Sequence, residues 1–131
     1  MNETKILRRI LRLIIPLTPG SLNEWQRAHW AERMRIQDRW DTEMIVALAV
    51  IGEGARLRKL LKGARVRISY YFGTNRRRDK DNYTPKVIMD CLKGRVIVDD
   101  SSDRIDLDWE MLFSKNQPRT EILIEELNED P

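Results

Sequence analysis

The chain has 131 residues, 41% of them hydrophobic and 34% charged, with a formal net charge of +3, which points to one globular domain spanning 1–131 with a heavily charged surface. Cys91 is the single cysteine, so an internal disulfide and a cysteine-built zinc cluster are both excluded, and a reducing, cytoplasmic setting is expected. No segment approaches the roughly 18 to 20 apolar residues that cross a bilayer, so no membrane partner is expected.

The opening "MNETKILRRILRLIIPL" starts basic and turns apolar. Arg8, Arg9 and Arg12 interrupt the apolar run and no small-residue cleavage site follows, so residues 7–15 read as a strand and not as a signal peptide. "PLTPGSLN" (16–23) is a turn by composition. From Trp25 to Ile51 the pattern is helical, with Trp30, Met34, Met44, Ile45, Leu48 and Ile51 on one face. Gln37 and Asp41 lie inside that stripe and imply a half-buried middle. Trp25, Trp30 and Trp40 read mostly as core, although tryptophans can also stack on unpaired bases. His29, the one histidine, reads as a hydrogen-bonded structural residue near the helix start. "GEG" (52–54) ends the helix, and "RLRKLLKG" (56–63) reads as a short basic helical turn.

Residues 64–72 alternate, with Val66, Ile68, Tyr70 and Phe72 facing one way, as a half-buried strand does. After the loop "GTNRRRDKD", a second helix is expected over 82–93, capped by Asp81 or Asn82, with Pro85 in its first turn and Val87, Ile88, Cys91 and Leu92 on its apolar face. "RVIVDD" (95–100) is a short strand or connector. Residues 105–113 alternate again; Asp106, Asp108 and Glu110 form a polar face that suits pairing with Arg65 and Arg67. Strand 120–127 follows closely enough to suggest a hairpin with 105–113, and an acidic tail, about 125–131, reads as a solvated end. The expected fold is α+β: one mixed sheet with two main helices packed on one face, in the order β-α-β-α-(β)-β-β.

The chemistry concentrates in "RRRDKDN" (76–82). Residues 1–78 hold 17 Lys/Arg against 7 Asp/Glu, net +10, and residues 79–131 hold 7 against 14, net −7, so the sign of the charge changes inside this stretch. A basic half suits a polyanion. An acidic half suits cation binding, internal pairing with the basic half, or a solubilising tail. In extended backbone Asp79 and Asp81 would point to one side and Lys80 away. Two such carboxylates stay ionised together when a cation sits between them, and a hard ion such as Mg²⁺ takes oxygen ligands. Asp99 and Asp100 offer a third carboxylate, of which one is expected to reach the site. Lys86 stands one helical turn beyond Asn82, where an ammonium would stabilise charge on a phosphate. Arg76, Arg77 and Arg78 could hold a phosphate backbone. The set is suited to metal-assisted phosphodiester hydrolysis. The alternative is a DNA-binding module without catalysis, whose acidic cluster caps the helix and balances the arginines.

The segment "RRRDKDNYTPKVIMDCLKGRVIVDDSSDRI" (76–105) resembles the centre of RusA-type Holliday-junction resolvases, a family common in phages and prophages. The shared pattern is an arginine-rich lead, Asp79-Lys80-Asp81-Asn82, then Lys86 and Asp90 on a helix, and a hydrophobic stretch ending in Asp99-Asp100. "PLTPGSLNEWQRAHW" (16–30) is similar to the family's proline-rich N-terminal turn and basic, aromatic helix start. The resemblance implies a homodimeric Mg²⁺-dependent endonuclease, with Mn²⁺ as a substitute ion, that nicks four-way DNA junctions symmetrically. By position it implies Asp79, Asp81 and Asp100 as essential carboxylates, with Asp99 beside them, and Lys86 as the important lysine. Asn82, Asn23 and Arg27 join the arginines as residues expected to meet DNA.

Overall fold

The alternation of 64–72 becomes the central strand of the computed structural model, which describes residues 8–101 and 103–127. Four strands form one mixed sheet: β1 (Ile10–Ile15), β2 (Ala64–Phe72), β3 (Ile105–Phe113) and β4 (Arg119–Glu126), in the order β1-β4-β2-β3. β4 is antiparallel to both β1 and β2, and β3 runs parallel to β2 at the sheet edge. The helices are α1 (Leu22–Arg27), α2 (Trp30–Val50) and α3 (Lys86–Leu92), with a 3₁₀ turn at Lys80–Tyr83.

Register places the apolar side chains in rows across one face. Leu11, Ile124, Val66 and Leu107 form one row; Leu13, Ile122, Ile68 and Trp109 the next; Ile15, Thr120, Tyr70 and Met111 a third. Most are buried, and they share one core with Trp40, Met44 and Leu48 of α2 and Ile88, Cys91 and Leu92 of α3. The helices therefore cover this face, as expected. Thr120, the buried polar residue of the rows, donates from Oγ1 to the Leu17 carbonyl at 2.7 Å, so its hydroxyl is satisfied.

The expected 105–113/120–127 hairpin is not formed: β2 lies between β3 and β4. Charge explains the choice. On the open face β3 presents Asp106, Asp108 and Glu110, and β4 presents Glu121 and Glu125; paired directly they would set acid against acid. Instead basic β2 separates them, and Arg65 reaches Asp106 on one side at 3.2 Å and Glu125 on the other at 3.1 Å. Residues 114–118 make the step: two strand spacings need about 10 Å, and five residues reach about 17 Å. They pass the end of β2 so closely that a Cβ on Gly73 would lie 3.2 Å from Pro118 Cγ.

Other boundaries also moved. The long helix splits at Ala28–His29: Ser21 and Glu24 form a reciprocal capping box for α1 inside the expected turn, and the His29 side chain caps α2 by accepting from the Ala31 N–H. The core line of α2 runs through Ile36, Trp40, Met44, Ala47 and Leu48, whereas Trp30 and Met34 are 66% and 54% exposed. A stripe read from Trp30 is thus rotated off the true one, and of the three expected core tryptophans only Trp40 is buried. Gln37 and Asp41 are half-buried, as expected; Gln37 Nε2 bonds Cys91 Sγ at 3.1 Å and Asp41 pairs with Arg95 at 2.9 Å. Residues 56–63 form no helix, because Leu57 and Leu61 are pulled into the core and Leu61 bridges to Ile97. Residues 95–100 make only such bridges and no strand. The α3 helix starts at Lys86 with Pro85 before it, so neither Asp81 nor Asn82 caps it. Glu125 and Glu126 belong to β4 and pair with Arg65 and Arg9, which corrects the start of the acidic tail; 128–131 lie outside the described residues, as does residue 7 of the expected first strand.

Ile68 is 1% exposed with strands on both sides. Ile68→Ala is expected to lower unfolding free energy by about 2–5 kcal/mol, read as a fall in the urea midpoint with the slope unchanged.

Candidate functional site

The 32-residue span 73–104 joins the parallel strands β2 and β3 and carries nearly every candidate residue. Its first part is a loop folded on itself by Arg78. That guanidinium lies 3.8 Å from the Phe72 ring centroid and donates to the Thr74 carbonyl, the Thr74 hydroxyl (2.7 Å) and the Arg76 carbonyl. Arg78 is therefore committed to holding the loop, which sequence reasoning did not anticipate. Arg76 and Arg77 are exposed at its surface, open to a phosphate backbone.

Asp79 is extended, but the chain then tightens into the 3₁₀ turn, so the expected same-side pair of an extended strand is not what forms. Asp79 Oδ1 accepts from the Asp81 N–H at 3.2 Å and caps the turn, while the Asp81 carboxylate is exposed and has no ion pair to a described residue. Lys80 reaches across to β3. Its ammonium meets Asp108 at 2.8 Å and sits 5.0 Å from the centroid of Trp109, whose Nε1 donates back to the Lys80 carbonyl at 3.2 Å. β3 is an edge strand, so both of these neighbours are within reach of Lys80.

Two further contacts fix the turn. Asn82 Oδ1 accepts from the backbone N–H of Asn23 at 3.2 Å, tying α1 to the carboxylate turn. Tyr83 is 6% exposed and meets Phe72 edge-on at 5.3 Å. Asn82 and Asn23, expected to meet DNA, are thus joined to each other, and Arg27 is exposed in the last turn of α1.

Lys86 opens α3, is 57% exposed and lies 3.9 Å from Asp90. At the other end of α3, Asp100 pairs with Lys93 at 3.6 Å, and Asp99 Oδ1 accepts from the Asp100 N–H at 2.8 Å. The seven-residue step from Lys86 to Lys93 spans about 10 Å of helix. The structure thus gathers Asp79, Asp81 and Asn82 on one clamped turn and holds Asp99 and Asp100 near Lys93. Among the described residues no group of three or more His, Cys, Asp or Glu side chains stands ready to hold a metal ion. The donor chemistry nevertheless suits Mg²⁺, which takes hard oxygen ligands and commonly uses one or two carboxylates with waters and a substrate phosphate.

On the polar face of β3, Asp106 and Asp108 are paired with cations, and Glu110 accepts from the Ser69 hydroxyl at 3.0 Å. Arg67 and Arg65 hold the Asp106 carboxyl below the usual carboxylate range, and the Lys80 ammonium, with the Trp109 N–H, does the same for Asp108. Cys91 is buried in the core, and burial pushes its thiol far up, as suits an inert packing residue.

No helix among the described residues is long and apolar enough to cross a membrane.

Because the folded Asp108 carboxyl titrates below its unfolded value near 3.9, its contribution is fully present above about pH 4 and is lost as pH falls through the folded value. Proteolysis of the 73–81 loop is therefore expected to accelerate as pH drops below about 4 with an acid-active protease. Asp108→Asn should show the faster cutting already at pH 7.

The family model described as endodeoxyribonuclease RusA matches residues 16–125 of this chain. No curated protein matches it.

Proposed function

Because this chain belongs to the RusA endodeoxyribonuclease family, whose members resolve four-way DNA junctions, we propose that it is a Mg²⁺-dependent endonuclease that resolves such junctions by paired, symmetric nicks. The observation that carries this reading is the clamped turn, in which exposed Arg76 and Arg77 run directly into Asp79 and the open carboxylate of Asp81.

In this reading Arg76 and Arg77 bind phosphates on either side of the scissile bond and set its position. Asp79 and Asp81 would hold the Mg²⁺, with Mn²⁺ as a substitute, and Asp100, assisted by Asp99, completes the set on exchanging its Lys93 partner. When bound, the ion supplies Lewis-acid chemistry: it activates water and neutralises charge on the phosphate. Lys86 stabilises the negative charge that develops on the scissile phosphate. Its pair with Asp90 is long and exposed, worth about 0–1 kcal/mol, so a phosphate easily displaces it. Asn82, through Asn23, holds the turn against α1 and keeps the carboxylates in place. A four-way junction has approximate two-fold symmetry, and a C2 homodimer presents two matched sites to it.

One observation favours a second reading. Asp79 is engaged as a turn cap and no three-carboxylate cluster stands assembled among the described residues, as expected of a DNA-binding module without catalysis.

Incubating the protein with a synthetic four-way junction decides between them. With Mg²⁺, two opposed strands should be nicked. Asp81→Asn should bind the junction and cut it on the order of 100-fold more slowly, or not at all, and Lys86→Ala should lose on the order of 100-fold. Cleavage unchanged in both Asp79→Asn and Asp81→Asn would remove these residues from the site. Binding without cleavage in Mg²⁺ and in Mn²⁺ would establish the second reading.

A further inference from the structure

Beside the carboxylate turn lies a cavity of about 100 Å³ that the proposed mechanism does not use. Its wall includes Trp25, Ile36, Trp40 and Tyr70, with Glu24, Glu32 and Lys86 as charged members. Tyr70 is 0% exposed, and its hydroxyl has no hydrogen-bond partner among the described residues. A buried hydroxyl without a partner is rare in a folded protein and calls for an explanation. Here the polar group sits in an aromatic wall, which is the composition of a ligand pocket: apolar surface with one or two groups that orient the guest.

We propose that this cavity receives a single unstacked base of the bound DNA, with Trp25 against the base and the Tyr70 hydroxyl bonded to its polar edge. The inference rests on the reading of the chain as a branched-DNA endonuclease. Four observations favour a base over other guests. The Glu32 carboxylate repels phosphate but accepts hydrogen bonds from a base amine. The size limits the guest to one planar ring: a cavity of about 150 Å³ holds benzene, so this one of about 100 Å³ takes only the inner edge of a base and leaves the rest at the mouth. Lys86 belongs both to the cavity wall and to the candidate site, so a nucleotide whose phosphate meets Lys86 has its base beside the opening. Finally, the wall carrying Trp25 is short and held from its surface, with the Arg33 guanidinium 5.6 Å from the Trp25 ring centroid. α1 has six residues and no buried side chain, and it is tied down by the Asn23–Asn82 bond and by Arg33, which donates to the Trp25 carbonyl at 2.8 Å. In this proposal the guest meets the hydroxyl by displacing side chains of that wall, since Trp40 of α2 and Tyr70 of β2 are buried in the core. Branched DNA offers bases at the exchange point that are cheap to unstack.

The test is equilibrium binding of the full chain, in metal-free buffer, to a four-way junction and to a series in which single nucleotides near the exchange point are replaced by abasic residues. Wild type should lose on the order of ten-fold in affinity at one abasic position and little at its neighbours, the size expected for one stacked base. Trp25→Ala and Tyr70→Phe should each lose most of that position's effect. Tyr70→Phe keeps the ring and removes only the unpartnered oxygen, so its thermal midpoint should not fall, which separates a binding defect from misfolding. A flat abasic profile for wild type that binds the intact junction, or a wild-type profile in both variants, would make the cavity a simple packing void and leave the nuclease reading standing. Failure of wild type to bind the intact junction would overturn both.

Discussion

Every part of this molecule depends on β2 having a strand on each side. Its inward face, Val66, Ile68, Tyr70 and Phe72, is buried across the whole length, and each of these residues stands in register with a neighbour in β3. Fully burying such side chains contributes about 1.5–3 kcal/mol apiece, far more than any exposed ion pair. Its outward face is basic and divides two acidic strands. The apolar face therefore supplies the stability, and the charged face selects which strands lie alongside. Exposed pairs are individually worth little, but the alternative pairing would oppose like charges along its length.

This arrangement also answers what the acidic half of the chain is for. Asp106, Glu125 and Glu126 pair with arginines of the basic half, and Asp108 with Lys80. The acidity carried by β3 and β4 is thus largely internal complement to the sheet and its turn. In the crossover the Asp81 carboxylate is exposed and has no ion pair to a described residue, a few residues after the exposed Arg76 and Arg77. The parallel β2–β3 pair forces a long crossover, and the crossover carries these groups. Its turn is clamped by Lys80 on β3, by Asn82 on α1 and by Tyr83 in the core. Three anchors on three different elements hold a segment whose own residues have little to bury.

Much of this could be read from the residues because it rests on local rules. The alternation of 64–72 and 105–113 marked two strands with their correct faces, and the Arg65 and Arg67 pairing with Asp106 follows from that alternation. His29 as a structural residue at the helix start and Cys91 on the apolar face of its helix were equally local. The family was legible in "RRRDKDN" and the residues after it, since that pattern combines rarely juxtaposed chemistry. The errors came where two distant segments compete. A helix stripe read from Trp30 ignored which side the sheet would cover. A short connection between 105–113 and 120–127 suggested a hairpin, although a connection of that length can also step over one strand. Arg78 looked like its two neighbours, yet Phe72 and Thr74 draw it inward.

By itself, then, the sequence determined the strands and their buried faces, the α+β class, the family, and the seam where arginines give way to aspartates. These depend on period, composition and contiguous pattern, all of which are written along one dimension. Only the tertiary structure decided the strand order, the clamp on the carboxylate turn, the pairing of Asp100 with Lys93, and the cavity lined by Trp25 and Tyr70. Each of those is a meeting of residues far apart in the chain, set by which buried faces and which opposite charges find one another on folding.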